Sequence, residues 1–205
     1  MKFDMHLHTT RHSPDSRMEP PRMLSHAREL GLDGVVITEH DWLWTEEELD
    51  VLRALAPDLV VLAGIEVTAH EGHFLAYGVR NPFAVPRGIG VAELCREVHR
   101  QGGAVVAAHP FRWGQPFDDI LREERPELDG LEVMSNNMDA DCRRRAAAVR
   151  EATGLPGLGN SDAHEEGVLG ACYTDFDATV RDLRDLVEAI RGGRAVAHDR
   201  RAEQC

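Results

Sequence analysis

The chain has 205 residues, a net charge of −13 and a hydrophobic fraction of 42%. That length supports one sizeable core and falls short of two full domains, so a single domain over 1–205 is expected, with a polar tail from about residue 194. The acid excess excludes a nucleic-acid scaffold, whose affinity comes from basic residues on phosphates, and no apolar run approaches the ~20 residues of a membrane span.

The chain opens on FDMHLH, a strand-like run without the charged and apolar regions of a signal peptide. Cys95, Cys142, Cys172 and Cys205 are scattered and form no CxxC pair, so a cytoplasmic protein with reduced thiols is expected. PPRMLSHARELG follows as a helix, opened by proline and closed by glycine, with Met23, Ala27 and Leu30 on one face. GVVITEH is a second strand, and TEEELDVLRALA a helix with the capping-box pair Thr45 and Glu48. LVVLAGIEVT and FLAYGV read as strands, VAELCREVHRQGG as an amphipathic helix and AVVAAHP as a buried strand. LDGLEVMS is the next strand, DADCRRRAAAVREATG a helix, and LPGLGNSDAH a further strand. After a short CYTDF segment the chain closes on the helix VRDLRDLVEAIRGG. The basic cluster Arg143, Arg144, Arg145 and Arg150 reads as a solvated helix face. Repeated β-then-α order, with strands apolar on both faces, predicts a parallel sheet covered by helices, and seven or so strands suit a closed or nearly closed barrel.

Metal-competent side chains recur at the predicted strand ends: His6 and His8, His40, Glu66, His73 just before FLAYG, His109, and Asp162 with His164. In a barrel of parallel strands the active site lies at the carboxyl ends of the strands. Residues two apart on a strand point the same way, so HxH and DxH each offer two ligands to one centre. With Asp15 of the first loop these make nine candidates, too many for one ion at four or five ligands. Imidazole and carboxylate without thiolate suit catalytic Zn, Mn or Fe, so two or three divalent metal ions are expected. A serine nucleophile at Ser161 is disfavoured because no GxSxG elbow exists.

The ordered set DMHLHTTRHSPDS, GLDGVVITEHD, GIEVT, EGHFLAYG, AAHPF and GNSDAH resembles the PHP family, named for polymerase and histidinol phosphatase, over nearly the whole chain. It is most similar to the small stand-alone members. The resemblance implies an α/β fold, a distorted (β/α)7 barrel of the TIM-barrel-like PHP type, with a trinuclear metal centre and hydrolysis of phosphoesters. Carried over residue by residue, it sets His6 and His8 with Glu66 and Asp162 on the first metal. Glu66 would bridge to a metal held by His73 and His109, and Asp15, His40 and His164 would hold the remaining one. Some members carry histidine in the first loop where Asp15 stands here and others similarly carry aspartate, and His12 lies close enough to compete for the role. Glu39 occupies a position where many members have aspartate, and is expected to stand behind the ligands as a partner.

The resulting expectation is cleavage of a small phosphomonoester by a hydroxide bridging two metals, with Glu66 as bridging ligand and Asp162 or His164 assisting proton transfer. Arg112, directly after HPF, is the preferred phosphate clamp, and Arg11 and Arg17 are lesser candidates. Trp42, Trp44, Phe111 and Trp113 either stack on a substrate ring or cover barrel edges. The alternatives keep the metals and change the bond: a phosphodiesterase, or an amidohydrolase-like C–N hydrolase.

Overall fold

The computed structural model describes residues 1–203, so Cys205 lies outside the described residues. In chain order the elements are β1 (Lys2–Asp4), α1 (Pro20–Glu29), β2 (Gly34–His40), α2 (Glu46–Leu55), β3 (Val60–Thr68), β4 (His73–Tyr77), α3 (Val91–Arg100) and β5 (Ala104–Ala107). They continue with α4 (Phe117–Glu123), β6 (Gly130–Ser135), α5 (Ala140–Thr153), β7 (Gly157–Asn160), β8 (Cys172–Phe176), α6 (Leu183–Arg191), β9 (Ala195–Asp199) and α7 (Arg200–Glu203).

Local chemistry accounts for the helix ends. Helix α2 carries the expected capping box, Thr45 accepting from the Glu48 amide and the Glu48 carboxylate from the Thr45 amide. Asp139 and Asp182 cap α5 and α6, and Gly154 at φ +75° ends α5 in the left-handed conformation. Helix α3 begins on Gly90, which has no side chain to offer; Glu71 accepts the Val91 amide instead, at 2.9 Å. Helix α4 was not expected from the sequence.

The strands form one sheet in the order β7-β6-β5-β4-β3-β2-β1-β8-β9. The expectation of a wholly parallel sheet is corrected at two places. Strand β4 runs antiparallel to both β3 and β5, because only residues 69–72 separate β3 from β4, too short a link for a parallel crossover. Strand β8 is antiparallel to β1 and to β9. The polar tail expected from about residue 194 is in fact β9, paired along its length with β8 from Ala195↔Phe176 to Asp199↔Cys172.

Side chains alternate across the sheet. Phe3, Met5, Val36, Leu62, Leu75 and Val106 point inward into one cluster, which Leu186, Val187 and Ile190 of α6 close at one end. The intervening positions pack outward, Val35, Ile37 and Val61 beneath α1 and α2, Val105 and Ala107 beneath α3. At the opposite end the ring closes without a ladder. Beyond β1, Leu7 makes a single parallel bridge to Ala163 beyond β7, with the His8 amide donating to the Ala163 carbonyl at 2.9 Å. Side chains complete this seam: Asn160 Oδ1 accepts the Met5 amide at 3.2 Å, and the Asp4 carboxylate accepts the Ser161 amide at 3.0 Å.

The basic cluster divides. Arg144 is 76% exposed as expected, whereas Arg143 reaches through to β9, its Nη1 lying 2.6 Å from Asp199 Oδ2. Arg145 lies over the ring of buried Phe111 at 3.9 Å. Among the described residues no helix is long and apolar enough to cross a membrane, and Cys95, Cys142 and Cys172 are free thiols.

Candidate metal centre

The segments that follow β1, β2, β3, β5 and β7 meet above the inward apolar cluster, and β4 adds its first residue because it runs the other way. His6 and His8 are fully buried on the chain beyond β1, Glu66 is buried near the end of β3, and His109 and Asp162 are buried just past β5 and β7. His40 ends β2 and His73 starts β4, both part-exposed. Ligand atoms converge in three groups, each within 4.8 Å: His8, His40 and His164; His6, His8, Glu66 and Asp162; and Glu66, His73 and His109. Asp15 joins the first group, its Oδ2 lying 3.1 Å from His40 Nε2 and 3.3 Å from His164 Nε2.

Glu66 is the hub. Its Oε1 lies 2.9 Å from His73 Nδ1, 3.1 Å from His109 Nε2 and 3.3 Å from His6 Nε2. Its Oε2 lies 2.8 Å from His40 Nδ1 and 3.2 Å from His8 Nε2. Two ligand-bearing positions sit in left-handed backbone, His109 at φ +30° and Asp162 at φ +52°, and Asp41 beside His40 does the same at φ +53°. Non-glycine residues rarely adopt this region, and such strain concentrates at functional sites.

The donor set fits divalent cations. His6 Nε2, His8 Nε2, Glu66 Oε2 and Asp162 Oδ1 are buried, face one another and make no well-formed hydrogen bond. Polar atoms so placed are costly unless something coordinates them. Electrostatics agree. Burial opposes charge on His8, but Asp162 and Glu66 outweigh it and lift its pKa to about 9. Burial opposes charge on Glu66 too, yet His6 and its other imidazole neighbours hold it well below the usual carboxylate range. The carboxylates are thus stabilised by cationic partners, a role that protons on the imidazoles fill here and that divalent ions bound between the same groups would fill instead.

The remaining expected residues fall on both sides of this centre. His12 turns away, its Nε2 3.1 Å from Glu48 Oε1 and its ring stacked on Trp42. Arg11 pairs with the same Glu48 at 2.9 Å, outside the ligand groups. Arg112 stays: its Nη1 is 3.2 Å from Asp162 Oδ2, and its guanidinium lies 3.9 Å over the Trp113 ring. Arg17 and Arg112 line a cavity of about 420 Å³ together with Asp15, Asn137, Asp162 and His164. Trp113 is 80% exposed beside His73 and His109, while Trp44 and Phe111 are buried as structural aromatics.

Glu39 takes the supporting place expected of it. Its carboxylate accepts from the Thr9 amide and hydroxyl, Trp44 Nε1 and Ser13 Oγ, and that Ser13 oxygen lies 3.3 Å from His8 Nδ1. Asn137, Asp4 and Glu132 were not foreseen. Asn137 Nδ2 donates to Asp162 Oδ2 at 2.6 Å, and nothing in the local sequence marks it. Asp4 and Glu132 are fully buried, and a charged residue inside an apolar strand run was the available signal.

Residues 142–195, from α5 into β9 and including Asp162 and His164, match a PHP-associated family. A two-domain protein of Bacteroides vulgatus containing a predicted PHP-like metal-dependent phosphoesterase superimposes with a TM-score of 0.75 at 24% identity, over 97% of this chain. The chain has the PHP fold. It spans 64% of that longer protein. An uncharacterized protein of Methanocaldococcus jannaschii is 29% identical over 146 residues, covering 66% of this chain and 82% of the relative. An amidohydrolase of Chromobacterium violaceum, solved with bound sulfate, superimposes with a TM-score of 0.67 at 18% identity, over 95% of this chain and 97% of its own.

Proposed function

We propose that the protein is a metal-dependent hydrolase that cleaves small phosphomonoesters with two or three Zn, Mn or Fe ions. The observation that carries this reading is the convergence of three ligand groups on buried, unpartnered imidazole and carboxylate atoms. His6, His8, Glu66 and Asp162 would hold one ion, Glu66, His73 and His109 a second, and Asp15, His40 and His164 a third. Ions held there supply Lewis acidity that lowers the pKa of water and neutralises charge on a phosphoryl group.

The chain's own groups do the rest. Arg112 presents its fork beside Asp162, where it binds two phosphoryl oxygens and orients the ester. Arg17, across the same cavity, adds positive charge where an anion enters an acidic protein. His164, beside Asp15 and with Nδ1 3.1 Å from the Asp162 carbonyl oxygen, would serve as a ligand and is oriented by that backbone contact. Asp162 is kept ionised and acts as ligand and anchor for Arg112 and Asn137. Among the fold relatives, the Bacteroides protein contains a predicted PHP-like metal-dependent phosphoesterase, which supports the phosphoester reading, whereas the Chromobacterium amidohydrolase favours the C–N alternative.

The test is a hydrolysis panel of a phosphomonoester, a phosphodiester and an amide of the same chromophore, run after chelation and reloading with Zn, Mn or Fe. Monoester turnover restored by metal is the expected result. Preference for the diester or the amide selects the corresponding alternative, and no turnover with any ion overturns the reading.

A further inference from the structure

Strand β6 hides a carboxylate that none of the ligand groups uses. Along its sequence GLEVMS, Leu131 and Val133 face the outward cluster, and Glu132 faces inward, fully buried. A carboxylate in that position is costly unless several donors satisfy it. Three do. Oε1 accepts from His6 Nδ1 at 3.0 Å and from Asn160 Nδ2 at 2.9 Å, and Oε2 accepts from the His109 backbone amide at 2.6 Å.

Each contact fixes something the centre needs. With Nδ1–H donating to Glu132, His6 presents a bare Nε2 to Glu66 and Asp162, and this is the atom without a hydrogen bond. The bond to the His109 amide holds that residue in left-handed backbone, and its Nε2 thereby faces Glu66. His6 and His109 belong to different ligand groups that share Glu66. We propose that Glu132 is a positioning residue that locks the His6 tautomer and the His109 backbone together, setting the spacing between two ligand groups. The proposal rests on the metal-centre reading above, though not on the identity of the substrate.

Glu132→Gln keeps the side-chain volume and removes one acceptor. Its amide NH2 must then face a donor, either the His109 N–H or the His6 and Asn160 pair. Titration of metal-free protein with Zn2+ or Mn2+ alone should show tenfold to hundredfold weaker binding in the variant, the range found when an outer partner of a metal-ligating histidine is lost. A merely structural glutamate would lower the melting temperature of the metal-free and loaded forms alike and leave the metal affinity unchanged, and that result overturns the proposal. A second measurement needs no variant. In the native protein labelled with 15N-imidazole and loaded with Zn2+, His6 should carry a slowly exchanging proton on Nδ1, and a proton on Nε2 overturns the proposal. If native protein binds no metal, the metal-centre reading fails and takes this one with it; if native and Glu132→Gln bind equally, this one alone fails.

Discussion

Glu66→Gln offers the sharpest test of the centre. The substitution is nearly isosteric at a side chain only 1% exposed, so packing is preserved and charge alone is removed. In the native protein the two carboxylate oxygens serve separate imidazoles, Oε1 facing His73, His109 and His6, and Oε2 facing His40 and His8. Glutamine can coordinate through its oxygen only, so one group must lose a ligand. The group of Glu66, His73 and His109 has just three members and cannot spare one, whereas His6, His8 and Asp162 retain three without Glu66. Removing one partner from a buried charge pair costs about 3–5 kcal/mol, a hundredfold or more in dissociation constant. Elemental analysis after dialysis should therefore show one metal equivalent fewer than native, and calorimetry should show loss of one binding event with the others retained. Native stoichiometry and affinity in Glu66→Gln would refute the bridging role.

Asp15→Ala should strip the ion held with His40 and His164, while His12→Ala should leave metal content unchanged, because His12 is engaged by Glu48 and Trp42; elemental analysis of the pair decides between them. Arg112→Ala should lower kcat/KM on the best phosphomonoester about ten- to a hundredfold, the loss of a charge-assisted contact of about 1.5–3 kcal/mol, with metal content unchanged. Lysine at that position should recover only part, since a point charge lacks the planar fork. At the β9 end, burial opposes ionisation of Asp199, but Arg143 and Arg201 outweigh it and lower its pKa to about 2. A carboxylate lowered on folding stabilises above its ordinary pKa and ceases to do so as pH falls through the folded value. Asp199→Asn should thus cost about 1 kcal/mol at neutral pH, with the difference from native vanishing near pH 2 in denaturant titrations.

Much of the site was legible because its ligands sit where strands end, and a strand ending in a coordinating residue breaks an otherwise apolar run. HxH after β1 and DxH after β7 announce themselves by their spacing. His73, picked out with the others as a strand-end residue, reaches the centre for a different physical reason: β4 is reversed, so its first residue shares the end at which its neighbours finish. The link of residues 69–72 carried that reversal in its length. Glu132 was written in LEVM as a charge where the strand has no solvent, but one sequence cannot say which donors await it. Asn137, contributed by a turn, meets Asp162 only through tertiary placement. Strand β9, AVAHD, was hidden by its shortness and by the charged residues on either side of it, and its residues lie at part-exposed or exposed positions beside β8.

The seam between the chain beyond β1 and the chain beyond β7 gives the centre a second meaning. One lip bears His6 and His8 and the other Asp162 and His164, joined by the Leu7–Ala163 bridge and a few side-chain bonds rather than a ladder. An ion held by His6, His8 and Asp162 would span both lips. Residues 156 apart in the chain would then be stapled by coordination, and the affinity of the ion and the closure of the barrel would be one linked equilibrium. Removal of such an ion would loosen the seam as well as the chemistry.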